Sequence, residues 1–560
     1  MKLLEQEKIT GHTPESPINL IIDCINDNKQ IIIFNASKST AQSTAKKVAQ
    51  HFKKQKINIS PELEEASQKI LVALSSPTSQ CRELSDCIKY GIAFHHAGLI
   101  AKQRSIIEDL FKQKILHAIS STPTLAAGLN LPASVTFIKD YKRFSQRGYQ
   151  DIPVLEYQQM AGRAGRPGVE TIGVSVIHIK DSDDEEKRVS TKFIHGESEE
   201  IFSKLAVEPT LKMYLLSLIA MDSINSKEEI EDFFLHSLYG HQFEDKKQLF
   251  NQIFRILHVL ERYGFIRVND NYYIATPMGK KISELYLNPD TAHYYLTLLP
   301  KIVELFKQFS FKEANVDMNK NSELALLHSI CNVIEMKPYF YIKKKEEDEI
   351  YMLAQDLESE LLTEYDPFEQ EIGEFLSILK TAQIYQKWIN EFPESLLHDQ
   401  YNITPGELNY KLNILDWLLY CIEELLGLKK ELYSKSQIKK LRVRVKYGVR
   451  LELLPLLTLK SIGRKRARDL YERGIKSPNN IKELPKETII QVMGEKRANT
   501  LLNSLNSQSQ KEIATSLKIG KPQEIRAREV SSEEVEILLK NQIEYEEEKK
   551  KELNNLLDFF

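Results

Sequence analysis

Gln159-Met160-Ala161-Gly162-Arg163-Ala164-Gly165-Arg166-Pro167-Gly168 sets two arginines three residues apart, so on a helix or turn their guanidiniums share a face. A guanidinium is always charged and binds phosphate oxygens two at a time, which suits a triphosphate. An arginine placed on a transferring phosphoryl group can raise its rate by ~10³–10⁵. Gly162 and Gly165 let the backbone approach a neighbouring domain closely. Arg-x-x-Arg alone reads first as a basic surface turn. The full Gln-x-x-Gly-Arg-x-Gly-Arg spacing, with Gln159 at its head, is what makes the segment specific.

Further segments carry weaker signals. In Ser121-Thr122-Pro123-Thr124-Leu125-Ala126-Ala127-Gly128-Leu129-Asn130-Leu131-Pro132-Ala133, the hydroxyls of Thr122 and Thr124 and the open backbone at Gly128 suit a nucleic-acid backbone. A plain strand-to-helix turn is the competing reading. His95 and His96 invite a metal, but adjacent side chains point apart and no third ligand is near, so no metal is expected. Tyr141 to Gln150 mixes cations and aromatics around a Gly turn, with Arg143, Phe144 and Tyr149 able to meet a strand. An aromatic stacked on a base contributes ~1–3 kcal/mol, comparable to one base-pair step. A surface loop is the alternative. Lys435 to Arg450 is dense in Lys and Arg, and Ile462-Gly463-Arg464-Lys465-Arg466-Ala467-Arg468 pairs a Gly turn with Arg464, Arg466 and Arg468. Backbone N–H groups at such a turn, with arginines beside them, suit phosphate. A solvated basic face is the alternative.

These residues need a frame. Apolar runs at Ile31–Phe34, Gly91–Phe94, Leu116–Ser120, Ser134–Lys139 and Gly173–Ile179 read as strands, separated by helical spacing at Ala41–Phe52 and Gln103–Gln113. Strands alternating with helices imply a parallel sheet, whose ligand loops follow the strands. After the charge run Asp181–Lys187 helical periodicity dominates. One exception, Tyr263–Ile274, reads as a hairpin around Asn269-Asp270-Asn271. The expected fold class is an α/β lobe followed by mainly helical domains.

Across 560 residues the net charge is −3, so any basic surface is local. Hydrophobic residues are 42% and charged residues 28%, which excludes global disorder. No apolar run approaches the ~20 residues that span a bilayer, and the N-terminus lacks the apolar stretch of a signal peptide. Cys24, Cys81, Cys87, Cys331 and Cys421 form no CxxC pair, which fits a reducing cytoplasm, the expected location.

Taken together, the motifs identify a resemblance. Phe34-Asn35-Ala36-Ser37, Gly91–Leu99, Ser121–Ala133 and Gln159–Gly168 resemble motifs IV, IVa, V and VI of superfamily-two helicases. With Thr276–Tyr286, Lys380–Ile389, Tyr401–Trp417 and Leu459–Tyr471, the chain is similar to the archaeal DNA-repair helicases of the Ski-type branch, relatives of the polymerase-theta helicase. The resemblance implies residues 1–185 as a second RecA-like lobe, 200–288 as a winged helix, 289–430 as a helical ratchet domain and 435–505 as a helix-hairpin-helix domain. Residues 506–560 form a charged tail.

It implies Arg163, Arg166 and Gln159 as catalytic, with Gly128, Asn130, Gly162 and Gly165 around ATP. It implies DNA contacts from Asn35, His95, His96, Thr122, Thr124, Arg143, Phe144, Tyr149, Trp417, Arg464, Arg466 and Arg468, with a hairpin near Arg143 as a strand-separation pin. Where the family carries an Arg two turns before the tryptophan, Tyr410 stands here, and Lys411 beside it is the substitute point charge. Leu556, Phe559 and Phe560 partly resemble the sliding-clamp peptide, with Leu553 where Gln is usual.

Such helicases carry a P-loop and a DExH box on a first lobe, and neither motif occurs here. The expectation is therefore the C-terminal half of an ATP-dependent 3′-to-5′ DNA helicase for replication-fork repair. It would need a separately encoded first lobe that also supplies the Mg²⁺ ligands, and would act on single-stranded and forked DNA away from membranes. The alternatives are a truncated product, a non-enzymatic DNA-binding remnant, or an RNA helicase of the same branch.

Overall fold

The computed structural model describes residues 9–482, apart from 75, 129–130, 146–147, 166–171, 180–181, 244, 311–318, 363–371 and 460–461, together with isolated residues from 487 to 522. It divides into two units: residues 1–200 with 393–410, and residues 201–392 with 411–560.

The first unit is built on a parallel five-stranded sheet in the order β2-β3-β1-β4-β7. The strands are β1 Ile31–Phe34, β2 Ile92–His95, β3 Ala118–Ser121, β4 Val135–Ile138 and β7 Val174–Ile177. Each lies within the apolar run expected for it or one residue past its end. Every residue of β1 to β4 is buried, because helices cover both faces of a parallel sheet. The covering helices are α1 Ser16–Asn26, α2 Lys38–Lys54, α3 Pro61–Leu71, α4 Ser79–Ile88 and α5 Ala101–Lys112. Ser37 starts α2 through a capping box with Thr40, and Thr78 caps α4. The short helix α6 Thr124–Gly128 follows β3. An antiparallel hairpin, β5 Lys142–Ser145 with β6 Gly148–Asp151, precedes α7 Val154–Ala161. Helix α8 Asp183–Val189 runs into a π-helical turn, Ser190–Ile194.

Residues 393–410, read from sequence as part of 289–430, pack with this unit. The amide of Gly406 donates to the Gly98 carbonyl at 3.0 Å. Lys38 and Glu407 lie 3.6 Å apart, and Ser79 Oγ meets His398 Nδ1 at 3.1 Å and Asp399 Oδ1 at 3.2 Å.

The second unit is mostly helical. Helices α9 Glu208–Ala220, α10 Lys227–Leu235, α11 Leu238–Gln242 and α12 Lys246–Arg262 precede the hairpin β8 Ile266–Asn269 and β9 Tyr272–Ala275. Asp270, at φ 51, makes the tight turn between these strands. Then come α13 Pro277–Glu284, α14 Pro289–Ser310, α15 Lys320–Cys331, α16 Glu347–Leu357 and α17 Ile372–Ile389. Helix α18 Glu394–Tyr401 and the first residues of α19 Pro405–Leu428 belong to the first unit, and the rest of α19 is followed in the second by α20 Leu432–Tyr447, α21 Leu454–Leu457, α22 Arg464–Glu472 and α23 Pro478–Lys482. The C-terminal helices share a small core of Leu453, Leu456, Ile462, Ala467, Leu470, Ile475 and Ile481.

Candidate nucleotide and nucleic-acid interface

Strands β2, β3 and β1 end level with one another, since Ser121 registers with both Phe34 and His95. The next residues of each strand therefore meet at one sheet edge, where parallel sheets hold ligands. Asn35, His95, His96, Thr122 and Thr124 are brought together there.

Most of them face inward, which corrects the expected direct contacts. Asn35 is fully buried. Its Nδ2 donates to Ser120 Oγ at 3.0 Å and the Ser121 carbonyl at 3.3 Å, and its Oδ1 accepts from Thr44 Oγ1 at 2.9 Å. His95 Nε2 lies 3.0 Å from Glu108 Oε1. Burial lowers the His95 pKa, against the pull of Glu108. His96 is fully buried, stacked on Phe94, with Nδ1 accepting from the Gly98 N–H at 3.1 Å. Burial, then the positive charge of Lys38, pushes its pKa down to about 4, so it is neutral. Its proton is thus on Nε2, 3.1 Å from the Gln42 side-chain amide, which accepts it when turned with its oxygen inward. The two rings point apart, and both set the shape of the edge. Thr122 is nearly buried, 3.0 Å from the exposed Thr124 hydroxyl, so Thr124 is the residue of this set that solvent reaches. Among the described residues no group of three or more His, Cys, Asp or Glu side chains is placed to hold a metal.

The arginine segment is bonded to the loop after β3. Arg163 Nε donates to the Ala126 carbonyl at 3.1 Å, and Nη2 donates to the same oxygen. The backbone pairs in parallel: Ala133 N–H to Arg163 O at 3.0 Å, and Gly165 N–H to Ala133 O at 2.7 Å. Gly165 has φ +90, which favours glycine. Gly173, which the sequence reading passed over except as the start of a strand, is also required. A Cβ on it would stand 2.4 Å from the Ala164 carbonyl group. Gly in a strand is the signal for such an approach. Gln159 and Gly162 are exposed and Arg163 is half-buried. Gly128 ends α6. Arg166 and Asn130 lie outside the described residues, as do Leu556, Phe559 and Phe560 and the side chain of Phe144.

On the β5–β6 hairpin Tyr149 is 71% exposed. Arg143 is instead held by Glu156, at 2.9 and 3.2 Å, which corrects its reading as a simple DNA contact. Sequence reasoning missed Glu156, whose partner belongs to a different element.

In the second unit the basic residues are largely engaged. Trp417 is 9% exposed and its indole N–H donates to the Leu285 carbonyl at 3.1 Å. Lys411 is buried and its ammonium is bound by the Met336 carbonyl, so it is not the exposed point charge expected. Arg464 stacks on Trp388, 4.8 Å from the ring centre, and donates to the Phe392 carbonyl at 2.8 Å. Arg468 is bound by Glu391 and by Glu452 at 2.9 Å. These two arginines, a turn apart on α22, face the end of α17 rather than water. Arg466 between them is half-buried. In the Lys435–Arg450 stretch, Arg442 is held by Asp416 at 2.9 Å and Glu423 at 2.8 Å, and Arg444 by Glu323 at 2.6 Å. Both are buried, so that stretch is not a uniformly solvated basic face.

Known proteins match the chain in the same order. Residues 55–168 match the helicase conserved C-terminal domain, 324–448 match domain 4 of archaeal helicases, and 453–507 match a SAM-like helix-hairpin-helix tandem. The chain is 32% identical over 524 residues to the ATP-dependent DNA helicase Hel308 of Methanococcus vannielii, a match covering 87% of this chain and 67% of the relative. For the protein of that name from Methanocella arvoryzae the identity is 33% over 507 residues, covering 90% and 66%. For that from Pyrococcus horikoshii it is 34% over 486 residues, covering 85% and 63%. The chain thus spans about two thirds of the length of these relatives.

Proposed function

The chain belongs to the Hel308 family of archaeal DNA helicases, and on that footing we propose that it forms the second RecA-like lobe and DNA-holding domains of an ATP-dependent 3′-to-5′ helicase serving replication-fork repair. The observation that carries the proposal is the bond from the Arg163 guanidinium to the Ala126 carbonyl. It joins a phosphate-seeking arginine to the short helix α6, which begins at Thr124 just after Thr122. A displacement at the nucleotide is thereby passed to the strand-side edge through one bonded segment.

The residues present fit a triphosphate. The Ala126 carbonyl takes Nε and Nη2 of Arg163, so a phosphate would fall to Nη1, with Gln159 exposed on the same segment. Arg163 and Arg166 would offset charge on the γ-phosphate. ATP with Mg²⁺ supplies the phosphoryl group and the free energy of its transfer. A first lobe bearing the P-loop and acidic box, on whichever polypeptide it lies, would hold the metal and the β-phosphate. The proposed domains follow the same logic. Helices α9 to α13 with the β8–β9 hairpin act as a winged helix, the helices from α14 to α19 as a ratchet around single-stranded DNA, and α20 onward as the helix-hairpin-helix module. The terminal Leu556, Phe559 and Phe560 would serve a sliding clamp, and the protein would work in the cytoplasm.

The test is ATP hydrolysis with and without single-stranded DNA, by these 560 residues alone and mixed with a first-lobe polypeptide. The proposal expects negligible turnover alone and DNA-stimulated turnover in the mixture. Arg166→Ala should cost about 10³-fold with DNA binding kept. Strong hydrolysis by the chain alone overturns the need for the first lobe. DNA binding without turnover in any mixture marks a non-enzymatic remnant, and a preference for RNA over DNA marks an RNA helicase.

A further inference from the structure

The β5–β6 hairpin has strands of four residues. An isolated two-stranded hairpin is marginal in water, so its direction depends on what holds its root. Here three carboxylates do so. Asp151 takes Arg188 at 2.5 Å and Lys192 at 3.2 Å. Burial pushes the Asp151 carboxyl up, but these two cations win and hold it below its ordinary pKa. Glu185 accepts from the Tyr141 hydroxyl and, at 3.3 Å, from Lys142. Both tie the root to α8 and the π-helical turn, where Phe193 packs on Tyr141 and Tyr157.

Glu156 is the third and differs in where it leads. It lies on α7, three residues before Gln159, so on helical spacing those two share a face, and the Arg163 segment leaves the end of the same helix two residues past Ala161. Its side chain is 18% exposed and reaches across to Arg143 on β5. Helix α7 is itself fixed at its start, where Glu199 accepts from the amides of Val154 at 2.7 Å and Leu155 at 3.3 Å. One short helix therefore carries the hairpin tether at one end and the arginine segment at the other.

We propose that Glu156 is a positioning residue that couples nucleotide turnover at the Arg163 segment to strand separation at the hairpin, by clamping Arg143 at the hairpin root. With the clamp closed, the hairpin moves as part of the lobe and meets the duplex at a fixed angle. With it open, the motor still advances on a single strand, but the hairpin yields at the fork. This rests on the helicase reading above.

The experiment uses the full chain mixed with its first lobe. It measures ATPase on single-stranded DNA, unwinding of a forked duplex, and thermal stability. Glu156→Gln should keep ATPase within about twofold and lose unwinding by about tenfold or more, the scale of a small misplacement. The exchange Glu156→Arg with Arg143→Glu should restore unwinding at unchanged ATPase, which a purely local packing role would not do. Glu156→Gln unwinding like wild type, or losing ATPase and unwinding in equal measure, overturns the proposal. Wild type that hydrolyses ATP but never unwinds overturns the helicase reading instead.

Discussion

A Cβ on Gly406 would stand 2.4 Å from the Ala97 carbonyl oxygen, because the Gly406 amide is drawn to within 3.0 Å of the Gly98 carbonyl. That contact moors the first turn of α19 on the loop that follows His96. The obstructing atoms are backbone and cannot step aside. Gly406→Ala should therefore lower the unfolding free energy by ~1–3 kcal/mol, as overpacking does. At Gly98 a Cβ would meet the His96 ring and the Thr404 hydroxyl at about 3.0 Å, both side-chain atoms. Gly98→Ala should cost less. Urea denaturation of both variants checks the order, and equal midpoints would remove the tight mooring.

His96 also predicts how stability varies with pH. Its folded pKa is about 4 and its ordinary value 6.5, so between these limits the unfolded chain binds the proton that the folded chain refuses. Stability is then full above pH 6.5 and falls as pH drops towards 4, by on the order of 3 kcal/mol from this group. His328, buried in the second unit against Phe375, is also held at about 4 and acts in the same direction. His96→Gln should flatten the loss between pH 6.5 and 4 without abolishing it. Urea denaturation at a series of pH values measures this, and an unchanged slope in the variant would show that His96 titrates freely.

Trp417 serves packing first. Its indole is nine-tenths buried with its N–H on the Leu285 carbonyl. Trp417→Ala should cost ~3–5 kcal/mol of stability. If the remaining exposed strip of ring also meets a base, the folded variant should lose a further ~1–3 kcal/mol of single-strand binding. Trp417→Phe, which keeps a ring, should lose less of both. Titration with labelled single-stranded DNA well below the melting temperature separates the two effects. Full affinity in folded Trp417→Ala would leave the residue as core alone.

What could be read from sequence follows from the range of the signals. The parallel sheet was readable because four-residue apolar runs and the capped helices between them are local patterns. The arginine segment was readable because its spacing is written in ten consecutive residues. The direction of each polar side chain was not. Asn35 and His96 turn inward because Thr44, Ser120, Gln42 and Gly98 satisfy them, and only the folded sheet edge brings those groups together. Arg143 and Lys411 look like free cations in sequence, since Glu156 and the Met336 carbonyl belong to other elements. The docking of residues 393–410 on the first unit depends on two glycines far apart in the chain, and no periodicity reports such a pair.

The basic stretch of α20 offers a sharp division between buried and exposed cations. Arg442 is 1% exposed and bonded to Asp416 and Glu423, with its guanidinium 4.9 Å from the Tyr420 ring centre. Removing one partner of a buried ion pair strands the other charge, so Arg442→Ala should cost ~3–5 kcal/mol of stability. Arg442→Met, which refills the volume, still leaves Asp416 and Glu423 uncompensated and should recover only part of it. Lys446 near the end of α20 and Arg450 three residues past it, by contrast, are exposed, with Arg450 3.9 Å from Glu391. If they meet phosphates, each change to Ala should weaken DNA binding across all sequences and reduce the slope of log affinity against log salt by ~1. Arg442→Ala should leave that slope unchanged while lowering the melting temperature. Salt titrations of the three variants decide it. A reduced slope for Arg442→Ala, or none for Lys446→Ala and Arg450→Ala, would mean that nucleic acid meets a surface other than the exposed cations at the end of α20.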